Sequence, residues 1–318
     1  MSSPTGPTSG LPVRMPRPRQ PGRHRRPEPV AAPAGAPPLV LAVPGTPDTA
    51  TRRLAEELLS IARSELPGLD ARIGYLDAGG AADEPGYPAL DAVLGHAAAQ
   101  RTARAQQAAA EEAGEPAADA WAQAPDAVVI PLLAGPDSAV LRRIRQAVMN
   151  SGAACELTDA LGPHPLLAEA LHVRLSEAGL ARADRARLFT VTTAADGIVL
   201  ATIGGEEAAQ AAGITGMLLS ARLAVPVLAA ALDEDGAVAR AADQLRASGS
   251  RNLALAPCLI GPEADEALPA MAAKEAGCAT AEALGAYPAI GKLALAKYTE
   301  VLGIAMPSAA GPGGMPVR

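Results

Sequence analysis

Residues 159–175, DALGPHPLLAEALHVRL, recur as EALGAYPAIGKLALAKY at 282–298. Working outward from this pair, further matches fall in the same order along the chain. VVIPLLAGPD (128–137) corresponds to LALAPCLIGPE (253–263), so Pro131 matches Pro257 and Gly135-Pro136 matches Gly261-Pro262. Cys155 falls opposite Cys278, LVLAVPG (39–45) opposite IVLATIGG (198–205), and Leu76-Asp77 opposite Leu232-Asp233. Chance likeness among alanine-rich helices does not produce collinear matches, so the chain reads as an internal duplication.

Each copy alternates short apolar runs with amphipathic stretches. PLVLAV (38–43) reads as a buried strand, and residues 49–65 repeat apolar positions at Leu54, Leu58, Ile61 and Ala62, a helical stripe. ARIGYLD (71–77) and DAVVIPLL (126–133) read as strands, the latter ended by Gly135-Pro136 and followed by a helix through Val140, Ile144 and Val148. A short strand at Cys155 precedes a turn and helix over 161–179. Strand–helix alternation of this kind predicts an α/β fold, two similar halves that are each a four-stranded parallel sheet flanked by helices.

The expected organisation is a Pro/Arg-rich tail over 1–37, a first half over 38–182, a second half over 187–305 and a second tail over 306–318. The tails are too poor in apolar residues to order themselves. The first half carries a surplus, AAAQRTARAQQAAAEEAGEPAADAWAQAP (97–125), whose opening has high helix propensity but no consistent apolar face. It reads as a helical extension or surface loop, with a lid over a cleft as the alternative.

Composition narrows the function. Phe189 is the only phenylalanine and Trp121 the only tryptophan, so alanine, leucine and valine must fill the core. The net charge is −7, yet residues 1–37 hold Arg14, Arg17, Arg19, Arg23, Arg25 and Arg26 against Glu28 alone. The remainder holds just three lysines and no basic stripe with interleaved aromatics, which argues against nucleic-acid recognition. Cys155, Cys258 and Cys278 form no CxxC, an odd and sparse set that fits a reducing compartment. No apolar run is long enough to span a membrane, and prolines interrupt the apolar stretch after Arg25-Arg26 that a signal peptide would need. A cytoplasmic location is expected, and the oligomeric state is left open.

In open α/β sheets ligands bind outside the carboxyl ends of the strands. Those positions are PGTPDT (44–49), LDAGG (76–80) and AGPDSA (134–139), with IGGEE (203–207), LDEDG (232–236) and IGPEAD (260–265) in the second copy. Two halves facing one another through these loops would enclose a cleft. Gly45, Thr46, Asp77, Gly135, Asp137, Ser138 and Asp265 are the candidate binding residues. Asp48, Asp233 and Glu263 would line the same cleft; Asp48 and Asp137 also precede helices as caps do.

These loops carry a family resemblance. LVLAVPGTPD, RIGYLD, VVIPLLAGPDSAVLRRI and ALGPHPLLAEALHVRL follow the order of motifs in the sirohydrochlorin cobalt/iron chelatases, class II chelatases of the CbiX-like, two-domain actinobacterial type. The likeness covers roughly residues 38–305, and ALGPHPLL is its most specific part. It implies two facing four-stranded parallel sheets, insertion of Co²⁺ or Fe²⁺ into sirohydrochlorin, a tetrapyrrole ligand, and a place in cobalamin or sirohaem synthesis.

The chain departs from the family where chemistry is concentrated. The family's first-loop histidine falls on Pro44 and its third-loop histidine on Ala139; the second-half equivalents are Ile203 and Asp265. Neutral imidazoles hold a divalent transition ion and accept pyrrole protons. Proline and alanine do neither, and a lone carboxylate is a poor substitute. Of the remaining histidines, His24 lies in the tail, His96 reads as a surface residue, His164 as a helix-starting residue and His172 as surface-facing. Cys258 and Cys278 read as small buried residues. No dinucleotide fingerprint, P-loop or nucleophile elbow occurs. Three readings follow: a divergent chelatase-like protein impaired in metal insertion that still binds a tetrapyrrole, an active chelatase with a carboxylate-based site, and a non-enzymatic interaction protein. No catalytic residue and no metal ligand is assigned.

Overall fold

The computed structural model describes residues 30–78, 86–111, 121, 123–181 and 194–306. The expectations for residues 1–29, 79–85 (the end of the LDAGG loop among them), 112–120, 122, 182–193 and 307–318 lie outside the described residues. The first half is β1 (Leu39–Val43), α1 (Thr49–Glu65), β2 (Ala71–Tyr75), α2 (Leu90–Glu111), β3 (Ala127–Pro131), α3 (Ser138–Ser151), β4 (Cys155–Leu157) and α4 (Pro165–Glu177). The second half is β5 (Gly197–Thr202), α5 (Gly205–Leu223), β6 (Val227–Ala231), α6 (Ala237–Ala247), β7 (Leu253–Pro257), α7 (Ala267–Glu275), β8 (Ala279–Thr280) and α8 (Pro288–Leu302).

Each half forms a four-stranded sheet, in the order β2-β1-β3-β4 and β6-β5-β7-β8, and all pairings are parallel. The matched prolines take equivalent places: Pro131 ends β3 opposite Ala42, and Pro257 ends β7 opposite Ala201. A proline at a strand terminus gives up one ladder donor where the ladder is ending.

Every residue of β1, β3, β5 and β7 is buried, as apolar strands covered on both faces require. Alternation along the strand sorts them between two cores. Leu39, Leu41 and Val43 of β1, with Val128 and Ile130 of β3, point inward. They share one core with Ile198 and Leu200 of β5 and Ala254 and Ala256 of β7. Helices α1, α4, α5 and α8 fill the space between the sheets, α1 against α8 and α4 against α5 and α8. Val40, Ala42, Ala127 and Val129 instead face α2 and α3, and Val199, Ala201, Leu253 and Leu255 face α6 and α7. The two halves therefore bury a common interior, and small alanines let four helices pack there.

Local signals set the helix ends. The carboxylate of Asp48 accepts from the Thr51 amide at 2.7 Å to start α1, and Asp137 accepts from the Ala139 and Val140 amides at 2.9 Å to start α3. His164 does the same for α4, its Nδ1 accepting from the Leu166 amide at 3.1 Å, with Pro165 in the first turn.

One region differs from the sequence reading, while the surplus in the first half begins as the helical extension expected. Residues 30–37, assigned above to the tail, dock on the body: Val30 and Ala32 pack on the central core, and the buried Tyr298 hydroxyl donates to the Pro37 carbonyl at 2.7 Å. Tertiary contact overrides their disordered composition. The surplus from 97 continues α2, the crossover helix from β2 to β3, which starts at Leu90 and runs 22 residues where α6 runs 11. Leu90, Leu94 and Ala97 supply its buried face, so the apolar stripe lies mostly upstream of the surplus. Within the extension Ala97 packs on the outer face of the first sheet, and residues 102–107 are exposed. Arg101 ties it back, donating to the Pro125 and Trp121 carbonyls.

Candidate functional site

The loops after β1, β3, β5 and β7 converge as expected, and they touch at several points across the seam between the halves. Gly45 has a positive φ of +77°, and a methyl group there would sit 2.5 Å from the carbonyl oxygen of Pro262 in the other half. Only glycine combines that backbone conformation with so close an approach. On the other side of the seam a methyl on Gly204 would meet the Pro136 carbonyl oxygen at 2.8 Å. The Ser138 hydroxyl donates to the Glu207 carboxylate at 2.6 Å, a further link between halves.

Glu263 is the centre of this seam. Its carboxylate accepts from the Ile260 amide at 2.9 Å, the Gly261 amide at 2.7 Å and, across the seam, the Ala134 amide at 3.0 Å. Loop amides at such a junction need acceptors, and a side chain supplies one where no strand can. Its first-half counterpart Asp137 is one methylene shorter and caps its own helix. Burial pushes the Glu263 carboxyl above its ordinary range, and the three amides oppose that shift by favouring the anion.

The remaining candidates are distributed around this junction. Pro44 is buried, Thr46 is exposed, and Gly135 sits at the seam facing Thr202. Asp77 pairs with Arg143 of α3, and its counterpart Asp233 accepts from the amides of Gly204 and Gly205 at the start of α5. Asp137 is a helix cap. Ala139 is exposed on the first turn of α3, and Asp265 is exposed, accepting from the Ala267 amide at 2.8 Å. The carboxylates are thus engaged in local caps and ion pairs.

The histidines do not assemble. His164 is the N-cap of α4, and His172 follows two turns later, about 12 Å along the axis. His172 is buried at 6% exposure, where a surface position was expected; its Nδ1 accepts from Arg222 Nε of α5 at 2.9 Å. The partner helix from the other half covers that face, a contact invisible to the periodicity of α4 alone. His96 lies on α2 with its Nε2 2.8 Å from the Gln100 amide nitrogen. Among the described residues, no group of three or more His, Cys, Asp and Glu side chains is placed to hold a metal ion. Cys258 is buried, its thiol pushed up to about 12 by burial and by Glu263; Cys278 is half-buried, not fully covered as expected.

The fold aligns with two solved structures. SirB from Bacillus subtilis with Fe³⁺ aligns at a TM-score of 0.53 and 12% identity, covering 84% of this chain and 96% of SirB. The sirohydrochlorin chelatase SirB from Bacillus subtilis subspecies spizizenii in complex with cobalt aligns at 0.51 and 11% identity, covering 84% and 95%. The chain has the class II chelatase fold. Comparison of the sequence with family models and with curated proteins finds no match. At this identity the likeness is one of fold, and the chemistry rests on the residues that the chelatase fold presents here.

Two features escaped the sequence reading. The bridge from Glu263 to Ala134 spans 129 positions, which no local pattern encodes. A pocket beside β2 was not foreseen; its residues come from α1, β2, α2 and, at Gly86 and Pro88, the segment between β2 and α2. No described helix is long and apolar enough to cross a membrane.

Proposed function

We propose that this chain is a divergent, chelatase-like protein of tetrapyrrole metabolism that binds a sirohydrochlorin-type macrocycle but does not insert metal. The observation that carries the reading is the set of residues at the strand-end loops of a chelatase fold. Pro44, Ala139 and Ile203 have no donor atom, and Asp265 is an exposed loop carboxylate that accepts from the Ala267 amide. A borderline ion such as Co²⁺ or Fe²⁺ as substrate needs imidazole or comparable ligands to be delivered, and the departing pyrrole protons need a base. The residues present at these tips do not fit either task. An active chelatase using carboxylates would have to recruit residues such as Asp77 or Asp265 from the bonds described above.

The contacts across the seam support a second reading, a non-enzymatic interaction protein. Gly45 lies against Pro262 and Glu263 binds the Ala134 amide, so a macrocycle between the halves must part these contacts. Titrating the full chain into metal-free sirohydrochlorin and following its absorption spectrum separates the two. The primary reading predicts a saturable spectral shift without metal. An unchanged spectrum would leave the interaction reading in its place. The location of the protein, its cobalamin or sirohaem pathway and the duplication remain parts of the same proposal.

A further inference from the structure

On the outer edge of the first sheet, α1, β2, α2 and the residues Gly86 and Pro88 before α2 line an open pocket of about 620 Å³, within the size range of small-molecule sites. Tyr75 lines it and is 1% exposed, yet its hydroxyl has no hydrogen-bond partner. Arg52 lines it too, and its buried Nε likewise lacks a hydrogen bond; the nearest carboxylate, Glu56, is 3.8 Å away, beyond hydrogen-bond reach. Buried polar groups are almost always satisfied, and an orphaned pair lining one pocket calls for an explanation. Both atoms are donors.

The surrounding atoms are held in place. The Tyr75 ring meets Tyr87 edge-on at 5.5 Å, and the Arg52 guanidinium lies 5.7 Å from the Tyr87 ring centre. On the far wall Arg72 binds Asp70 and donates to the Gln100 carbonyl oxygen at 2.6 Å, and Gln100 in turn contacts His96. Ile73, Pro88 and Val93 make the rest of the wall apolar. Burial raises the Tyr75 phenol to about 12, so it stays a hydroxyl donor at neutral pH.

We propose that this pocket binds a small organic carboxylate with an apolar body, its oxygens accepting from the Tyr75 hydroxyl and Arg52 Nε. The site adjoins the loop after β2 but involves none of the contacts between the halves, and it does not depend on the tetrapyrrole reading. Glu56 also lines the pocket, but the two atoms left without a partner are both donors, which the oxygens of an anion satisfy, and the apolar wall selects a hydrocarbon body over a bare ion.

The test uses the full chain with benzoate, acetate and the neutral benzyl alcohol as probes, followed by saturation-transfer NMR and thermal unfolding. Benzoate is expected to bind with a Kd of about 1 mM, acetate roughly tenfold more weakly, and benzyl alcohol without detectable saturation. Tyr75→Phe removes a hydroxyl that has no partner in the free protein, so its Tm is expected to rise by about 2–6 °C while benzoate affinity falls about tenfold. Arg52→Ala, at the pocket rim, is expected to weaken benzoate by a similar factor. A folded Tyr75→Phe variant that binds benzoate as tightly as the parent would overturn the proposal. So would absence of benzoate binding, or equal binding of the neutral alcohol.

Discussion

Glu263→Ala removes the acceptor of three loop amides at the junction of the halves. Each buried N–H left without a partner costs about 1–3 kcal/mol. The junction is only partly buried, so water will reach some of them, and the lower bound for each gives about 3 kcal/mol in all. For a chain of this size that lowers Tm by roughly 6–12 °C. Glu263→Gln keeps one acceptor oxygen and removes the charge whose burial is itself unfavourable. It is expected to cost about 1–2 kcal/mol, less than alanine. Thermal unfolding by circular dichroism gives the ranking, and hydrogen exchange gives the mechanism. In Glu263→Ala the Ala134 amide, in the other half of the chain, should lose protection selectively. Unchanged exchange at Ala134, or a glutamine variant as damaged as the alanine one, would refute the account of the seam.

Three further outcomes follow from the same geometry. Gly45→Ala combines a left-handed backbone with a clash against the Pro262 carbonyl and should cost about 2–4 kcal/mol in thermal unfolding, whereas Thr46→Ala next to it, on an exposed side chain, should change stability by under about 0.5 kcal/mol. Burial, and then Lys297, hold the His164 imidazole below its usual range, and only its neutral form accepts the Leu166 amide. That contribution is therefore complete above pH 6.5 and is lost as pH falls through the folded-state value below it; His164→Asn, which caps without titrating, should flatten the dependence measured by denaturation as pH falls from 6.5. Pro44→His combined with Ala139→His should raise Co²⁺ affinity at least roughly tenfold, read from the visible spectrum of bound cobalt, while Ala139→His alone should not.

The fold was legible because it is written in local and repeated signals. The bounds of α1 follow from its apolar spacing and the Asp48 cap, and the two sheets follow from strands apolar on both faces. The equivalence of Pro131 with Pro257 survives as equivalent strand ends. What was not legible depends on contacts between segments remote in sequence. His172 looks surface-facing on α4 alone and is covered by Arg222 of α5. The strand-end carboxylates look like the lining of an open cleft, but Asp77 turns to Arg143, Asp137 to its own helix, and Glu263 to a loop of the other half. Residues 30–37 have the composition of a tail and are anchored by Tyr298, far away in the chain. The pocket at Tyr75 is assembled from residues with no shared motif; an arginine and a tyrosine apart in sequence give no pattern to read.

Pro44, Ala139 and Ile203 place no metal ligand at the loop tips of a chelatase fold, and the proposal that follows is that the chain does not insert metal. Its most direct test is the rate of Co²⁺ insertion into sirohydrochlorin, followed spectrophotometrically with and without the full chain. The expected rate equals the protein-free reaction at every protein concentration. A rate that rises in proportion to protein, and that falls when Asp77 or Asp265 is replaced by alanine, would contradict it.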